Sequence, residues 1–173
     1  MGDVGKLVAC LKELGFKPKV DSFQHRLVIQ KVMYLLERKG VKTGFTFGLY
    51  VRGPYSPDLT EAFYSHRKEV EGLKGGSELN AKEKADVCEL NALFSLNASW
   101  LEVAATYAFF AYAQGLDPFT ATIKVRELKP FFSEAQIAVG TSKAKEFLFK
   151  PTEKDLKEMK DEFSVWESAS AVN

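Results

Sequence analysis

The side chains that could do chemistry in this sequence form two short polar segments and no catalytic motif. The first segment lies inside the apolar run from Phe23 to Leu36, where Gln30, Lys31 and Tyr34 must lie on or beside a buried helix face. Gln30 and Tyr34 are one helical turn apart, so both can point at the same neighbour. Because buried polar groups need hydrogen-bond partners, these residues predict a polar partner elsewhere in the fold. The sequence leaves one alternative open, in which Lys31 reaches solvent and Tyr34 keeps its hydroxyl at the surface.

The loop around Gly53 and Pro54 is the predicted partner. Pro54 restricts the backbone of Gly53, and Ser56 followed by Pro57 is typical of a helix start, whose first N–H groups have no partner within the helix. With Arg52 beside it, such a helix end could bind a carboxylate or a phosphate. A rigid turn whose N–H groups are satisfied internally is the alternative. The candidate binding residues of the loop and its supporting helix are Gln30, Lys31, Tyr34, Tyr50, Arg52, Gly53, Pro54, Tyr55 and Ser56.

The sequence contains no pattern typical of an enzyme or of a metal centre. The motifs GxSxG, HExxH, GxxxxGK[ST] and GxGxxG are absent, and the two histidines, His25 and His66, do not have metal-ligand spacing. Cys10 and Cys88 each lie in an apolar helical pattern, which predicts buried thiols. We therefore expect no catalytic residue, no metal ligand and no cofactor.

Recurring helix-start patterns predict the elements that position these residues. They predict about eight helices covering roughly two-thirds of the chain, well above the usual helical content. The predicted fold class is mainly α, a single compact multi-helix domain over residues 1–173, with a candidate flexible segment at 72–79. The start patterns are Asp3, Asp21 with Gln24, Ser56 with Pro57, Asn80 with Glu83, Ser99 with Glu102, Asp117 with Pro118, Ser133 with Gln136, and Thr152 with Asp155.

Two segments depart from the amphipathic pattern. Residues 45–51 alternate between apolar and other side chains, as in a strand, and predict at most a minimal β element whose only candidate partner is the run from Phe147 to Phe149. The run from Trp100 to Tyr112 is apolar almost all round, but it is too short for the ~20 residues that a membrane span needs. We expect it to be a central buried helix.

Charge is distributed unevenly along the chain although the net charge is only +1. Residues 1–52 hold ten Lys and Arg against four Asp and Glu, whereas residues 53–122 hold five against ten. This asymmetry predicts either a self-complementary surface, an anion-attracting face or a solvated mixture. The few cysteines and the amphipathic start, which is unlike a signal peptide, favour a cytoplasmic protein without a membrane segment.

Residues 27–36 (LVIQKVMYLL), followed by the aromatic strand and by Gly53-Pro54, resemble the L-Q-K-L-x-Y-L … G-P signature of the Panacea-type (SocA-like) antitoxin domain. They are also similar to a free-standing group of bacterial and archaeal helical proteins with G-P-Y-S in the loop. The similarity covers roughly residues 23–64, with a weaker match in Leu101-Glu102 and in residues 129–133. Tyr50-Val51-Arg52 departs from the pattern, since the family usually has an aromatic residue ahead of the Gly-Pro.

The resemblance implies a mostly helical protein that binds a partner protein, either to neutralise a toxin or as an adaptor for proteolysis. The leading hypothesis is accordingly a non-enzymatic protein-binding module. The alternative is a nucleic-acid-associated regulator, which the basic first third and a helix-turn-helix-like pattern in residues 130–148 favour. The partner's identity and the oligomeric state stay open.

Overall fold

The fold is built from helices that begin at local capping residues. The computed structural model describes residues 2–171, and 68% of the chain is helical. The prediction of a mainly α fold with a minimal β element is confirmed. The elements are α1 (Val4–Glu13), α2 (Phe23–Lys39), β1 (Gly48–Tyr50), β2 (Gly53–Tyr55), α3 (Pro57–Ser65), α4 (Arg67–Gly72), α5 (Ala81–Phe94), α6 (Ala98–Ala108), a π-helical turn (Phe109–Ala113), α7 (Pro118–Leu128), α8 (Glu134–Leu148) and α9 (Glu153–Ser170).

Most of the predicted caps are present, and two are wrong by one or two residues. Helix α2 is capped by Ser22, whose hydroxyl accepts a hydrogen bond from the His25 backbone, because the carboxylate of Asp21 is held by Arg67 instead. Helix α6 is capped by Asn97 and not by Ser99. In both cases the side chain of the capping residue accepts a hydrogen bond from the third N–H of the helix.

The described residues form nine α-helices, where about eight were predicted. The additional element is α4, which arises because the segment after Pro57 does not continue as one helix. His66 has φ −115° and ψ 32°, outside the helical region, so the chain bends there and starts a second short helix at Arg67.

Helix α6 is the centre of the core. Every residue from Leu101 to Ala108 is buried, and α2 and α8 pack against this helix. The approach of α8 depends on Gly140, where a Cβ atom would lie 2.5 Å from a methyl carbon of Val103. The prediction of a central buried helix from Trp100 to Tyr112 is therefore right for residues 101–108 and for Phe110, while Trp100 and Phe109 are only partly buried and Tyr112 is exposed.

The β element is a hairpin that follows α2. Gly48 pairs with Tyr55 and Tyr50 pairs with Gly53 in an antiparallel register, leaving Val51 and Arg52 as a two-residue turn. The predicted pairing of residues 45–51 with Phe147–Phe149 is wrong, because residues 147 and 148 end α8. A two-residue turn brings the next strand alongside without any long-range partner.

The fold also bears on the cysteines, on the candidate flexible segment 72–79 and on membrane spans. Cys10 is buried, but Cys88 is exposed on α5, and the prediction of two buried thiols is wrong for the second. The segment between α4 and α5 contacts α1, where the Ser77 backbone donates to the Gly5 carbonyl. Within residues 2–171, every helix is too short or too polar to cross a membrane.

Candidate functional site

Two buried side chains of α2 hold the hairpin from below. Gln30 accepts a hydrogen bond from the Ser56 backbone at 2.9 Å and donates one to the Ser56 carbonyl at 3.0 Å. Lys31 is only 1% exposed, and its ammonium group donates to the Pro54 carbonyl at 2.7 Å. The interpretation of Lys31 as a side chain that reaches solvent is therefore wrong. These bonds hold the backbone of Pro54 and Ser56 against α2.

A buried ion pair supports the turn of the hairpin from the other side. The Lys129 ammonium, at the end of α7, lies 2.7 Å from a carboxylate oxygen of Glu102 and 3.3 Å from the carbonyl of Val51. The second carboxylate oxygen of Glu102 lies 3.9 Å from the Arg52 guanidinium. We did not predict Lys129 and Glu102 as site residues. The signal that could have found Glu102 is its position as a lone acid inside the apolar run of α6.

Gly53 lets the hairpin lie directly against α6. Its φ is +89°, a conformation that residues with a side chain rarely adopt. A Cβ atom at this position would lie 2.3 Å from the Oγ1 atom of Thr106. Together with the bonds to Gln30, Lys31 and Lys129, this close approach leaves the hairpin little freedom to move relative to the core.

The polar cluster under the hairpin holds more positive than negative groups. The pKa of Lys31 is lowered to about 7, mainly by burial and also by the neighbouring Lys129 and Arg52, while Glu102 opposes the shift. Burial also lowers the pKa of Lys129, against the raising effect of Glu102. One carboxylate thus faces two lysines and an arginine.

The depressed pKa of Lys31 predicts that stability rises with pH. Between a folded pKa of about 7 and the ordinary value of 10.5, the unfolded chain binds one more proton than the folded chain, so raising the pH favours folding. We expect the free energy of unfolding to rise by about 2 kcal/mol from about pH 7 to pH 9 on account of this group. Urea denaturation at both pH values measures this change in the free energy of unfolding.

The matched variants for this pH dependence are Lys31→Met and Lys42→Met. Lys31 is buried, whereas Lys42 is exposed. Lys31→Met is expected to remove most of the rise, and Lys42→Met is expected to leave it unchanged. An equally steep rise in Lys31→Met would contradict the assignment to Lys31.

The outer side of the hairpin borders a groove of about 490 Å³. Its rim includes exposed side chains, of which Val51 at the turn is 83% exposed. The Arg52 guanidinium lies 5.1 Å from the centre of the Phe23 ring, a cation–π contact, and the rings of Tyr50 and Tyr55 meet edge to face at 5.1 Å. The lining residues are Phe23, Arg26, Leu27, Gln30, Lys31, Tyr50, Val51, Arg52, Gly53, Tyr55, Thr60 and Tyr64.

The structure brings most of the candidate binding residues together around this groove. Tyr50, Arg52 and Tyr55 line it from the hairpin. The other candidates at the site are buried. Gln30 and Lys31 lie on α2 beneath the hairpin, Gly53 and Pro54 lie in β2, and Ser56 follows β2.

Tyr34 does not take part in the site. Its ring packs at 5.3 Å from that of Phe47 and at 6.4 Å from that of Phe109, and its buried hydroxyl has no hydrogen-bond partner in the described structure. The expectation that Gln30 and Tyr34 share a neighbour is therefore wrong for Tyr34.

The start of α3 is capped internally. Ser56 is fully buried, and its hydroxyl accepts a hydrogen bond from the Leu59 backbone at 3.2 Å. This geometry favours the structural-turn alternative for the backbone of residues 53–56. Arg52, with 53% of its side chain exposed, is the part of the loop that faces outward.

The groove is lined by basic, aromatic and apolar side chains. Its lining contains two arginines, a lysine and three tyrosines, with no Asp, Glu, His or Cys. Within residues 2–171, His, Cys, Asp and Glu side chains form no group of three that could hold a metal ion. Apolar rings beside arginines suit a ligand that combines apolar and acidic groups.

The basic first third of the chain pairs with the acidic middle third. Lys6 contacts Glu83 at 2.8 Å, and Lys39 contacts Glu89 at 3.1 Å. These pairs, with that of Arg52 and Glu102, support the interpretation of a self-complementary surface over that of a free basic face.

Comparisons with family models, with curated proteins and with solved structures found no match to this chain. The resemblance to the Panacea-type antitoxin domain stays a prediction that rests on residues 23–64.

Proposed function

We propose that this chain is a non-enzymatic protein-binding module that receives a segment of a partner protein in the groove beside the hairpin. The observation that carries the proposal is the combination of a hairpin braced by buried polar groups with an outer surface that is apolar, aromatic and basic. Residues at such a surface contribute most to binding when they are aromatic or arginine and lie in a preformed pocket.

The bracing matters because it lowers the cost of binding. Lys31 and Lys129 hydrogen-bond the hairpin backbone and Gln30 bonds Ser56 directly after it, so the groove wall is formed before a partner arrives. A surface that is already ordered loses less conformational entropy on association than a mobile loop does. Val51 and Arg52 are then presented to the partner by a fixed turn.

The chemistry of the groove defines the partner segment. The cationic side chains that the groove presents are Arg26 and Arg52, since the Lys31 ammonium is buried against the Pro54 carbonyl. The matching segment carries apolar or aromatic side chains next to acids, since complementary charge guides association and excludes basic competitors. On the sequence resemblance, the partner would be a toxin or a substrate delivered for proteolysis.

A photo-crosslinking side chain at the Tyr50 position tests this proposal. In cells that naturally produce the chain, we expect it to trap a specific protein, whereas the same group at the Phe119 position, which lies on α7 and is 75% exposed, should not trap that protein. Retention of the adduct after nuclease treatment would support a protein partner. An adduct with nucleic acid alone would contradict the proposal and favour the regulator alternative.

Binding of the identified partner can then be measured with purified proteins. We expect Val51→Asp to weaken it by at least about tenfold, because an acid at the turn opposes an acidic partner and removes an apolar contact. Phe119→Asp is the matched control and should leave binding unchanged. Equal affinity of Val51→Asp and the wild type would contradict the docking site.

A further inference from the structure

Helix α9 has an apolar face that is exposed in the part of the chain that the structure describes. Leu156, Met159, Phe163 and Trp166 follow one another at helical spacing and so lie on one side of the helix. No described residue of α9 is buried, and Trp166 is 73% exposed. A contiguous apolar face of this kind marks a surface that another molecule covers.

The charges of α9 indicate what kind of surface would cover it. From Glu153 to Ser170 the helix carries six acids and three lysines, a net charge of −3. After Lys160 it carries only acids, namely Asp161, Glu162 and Glu167. Its second half is therefore an acidic segment in which two of the acids directly precede Phe163 and the third directly follows Trp166.

The groove beside the hairpin is complementary to this half of α9 in both respects. It offers Phe23, Leu27 and the hairpin side chains as apolar contacts, and Arg26 and Arg52 as cationic groups. An amphipathic helix that lies in a groove inserts side chains spaced by three or four residues, as Met159, Phe163 and Trp166 are. The groove has a volume of about 490 Å³, which falls within the range of pockets that enclose a drug-sized ligand.

We propose that α9 of one copy of this chain docks in the groove of a second copy, so that two copies exchange their α9 helices around a two-fold axis. Such an exchange uses the same contact twice and closes the assembly at a dimer. The inference rests on the groove being a docking site, as proposed above, and it names a second copy of the chain as an occupant.

The course of the chain favours a second copy over the protein's own groove. Phe149, just before α9, borders the same surface cleft as Arg38, and Lys39 donates to the Phe147 carbonyl, so α9 starts beside the end of α2. The groove is lined by the first half of α2, from Phe23 to Lys31, and the whole helix is about 25 Å long. To fill its own groove, α9 would have to turn back along α2, whereas in the structure none of its described residues is buried.

A dimer of this form would regulate access to the groove. A foreign partner with an acidic apolar segment has to displace α9, so the dimer is the closed state and the monomer is the receptive one. Partner affinity is then lower at high concentrations of the chain, because α9 and the partner compete for one site.

Sedimentation across the micromolar range tests the exchange with two double variants. Phe163→Glu/Trp166→Glu removes the apolar anchors of α9, and Val51→Asp/Tyr64→Asp places acids on the groove rim. We expect the wild-type chain to dimerise, each double variant to be monomeric, and the control Phe119→Glu to dimerise like the wild type.

Mixing the two double variants provides the decisive measurement. One variant keeps an intact groove and the other keeps an intact α9, so the mixture retains one of the two contacts and should form a heterodimer weaker than the wild-type dimer. If α9 of one copy paired with α9 of another, the groove variant would still form a homodimer, and the mixture would form no heterodimer. That outcome would overturn the proposal.

Two other outcomes would also overturn it. In the first, the wild-type chain is monomeric, and the substitutions Val51→Asp/Tyr64→Asp shift the fluorescence of Trp166 relative to the wild type. This result would indicate that α9 docks in the groove of its own chain. A wild-type monomer without that shift would show that α9 does not enter the groove. Neither result affects crosslinking of a foreign protein from the Tyr50 position, so failure of this inference is distinguishable from failure of the proposed function.

Discussion

Gly53→Ala is expected to lower the free energy of unfolding by about 2–5 kcal/mol. Two costs add, because the residue has φ +89° and because its new methyl group would lie 2.3 Å from the Oγ1 atom of Thr106. The left-handed conformation costs a non-glycine residue about 1–2 kcal/mol, and forcing an atom into a packed core costs about 1–3 kcal/mol. Chemical denaturation of the variant and the wild type measures the sum.

Gly15→Ala is the matched control for Gly53→Ala. Gly15 also has a positive φ, +65°, but no atom lies within 4 Å of the position that its new methyl group would take. It should therefore show only the conformational cost of about 1–2 kcal/mol. Adding Thr106→Ala to Gly53→Ala should restore the part of the unfolding free energy that the steric clash removes. Equal losses for the two glycine variants would show that α6 gives way and that the hairpin is not held tightly.

Glu102→Leu is expected to lower the free energy of unfolding by about 3–5 kcal/mol, because it leaves the Lys129 ammonium buried without its carboxylate. Lys129 and Glu102 have side-chain exposures of 0% and 3%, and 2.7 Å separates their charged atoms. Thermal or chemical denaturation measures the loss. Glu134→Ala, which breaks the exposed pair with Arg126, should cost less than about 1 kcal/mol.

The double variant Glu102→Leu/Lys129→Met distinguishes the effect of an unpaired buried charge from the effect of altered packing. With both charges removed, stability should return to within about 1–2 kcal/mol of the wild type, since an apolar pair of similar size replaces a buried ion pair at little cost. The Val51 carbonyl, which Lys129 also contacts at 3.3 Å, loses a donor in this variant. If the double variant were as unstable as Glu102→Leu alone, an unpaired buried lysine would not be the cause.

Local sequence was enough to predict the helices, because a cap needs only residues three apart. Asn80 with Glu83 and Ser133 with Gln136 form the reciprocal capping bonds that their spacing predicts. The two misplaced caps have the same origin, since several polar residues stood near each helix start. At the start of α2 a tertiary contact decided between them, since Arg67 binds Asp21 and the cap is left to Ser22.

The sequence by itself also determined that Gln30 and Lys31 need partners, because polar groups on a buried helix face cannot stay unpaired. It could not determine the whole set of those partners. The Glu102–Lys129 bond joins residues 27 apart and the Lys129–Val51 contact joins residues 78 apart. Only packing of α2, α6 and α7 around the hairpin brings these groups together.

The groove and the free face of α9 were decided by the tertiary structure alone. A local pattern shows that a helix has an apolar face, but not whether another element covers it. Leu156 and Trp166 have the spacing of core residues and are nevertheless exposed, while Lys31 and Lys129, typical surface residues by type, are buried. Burial depends on which surfaces meet, and that is a property of the folded chain rather than of any short segment of it.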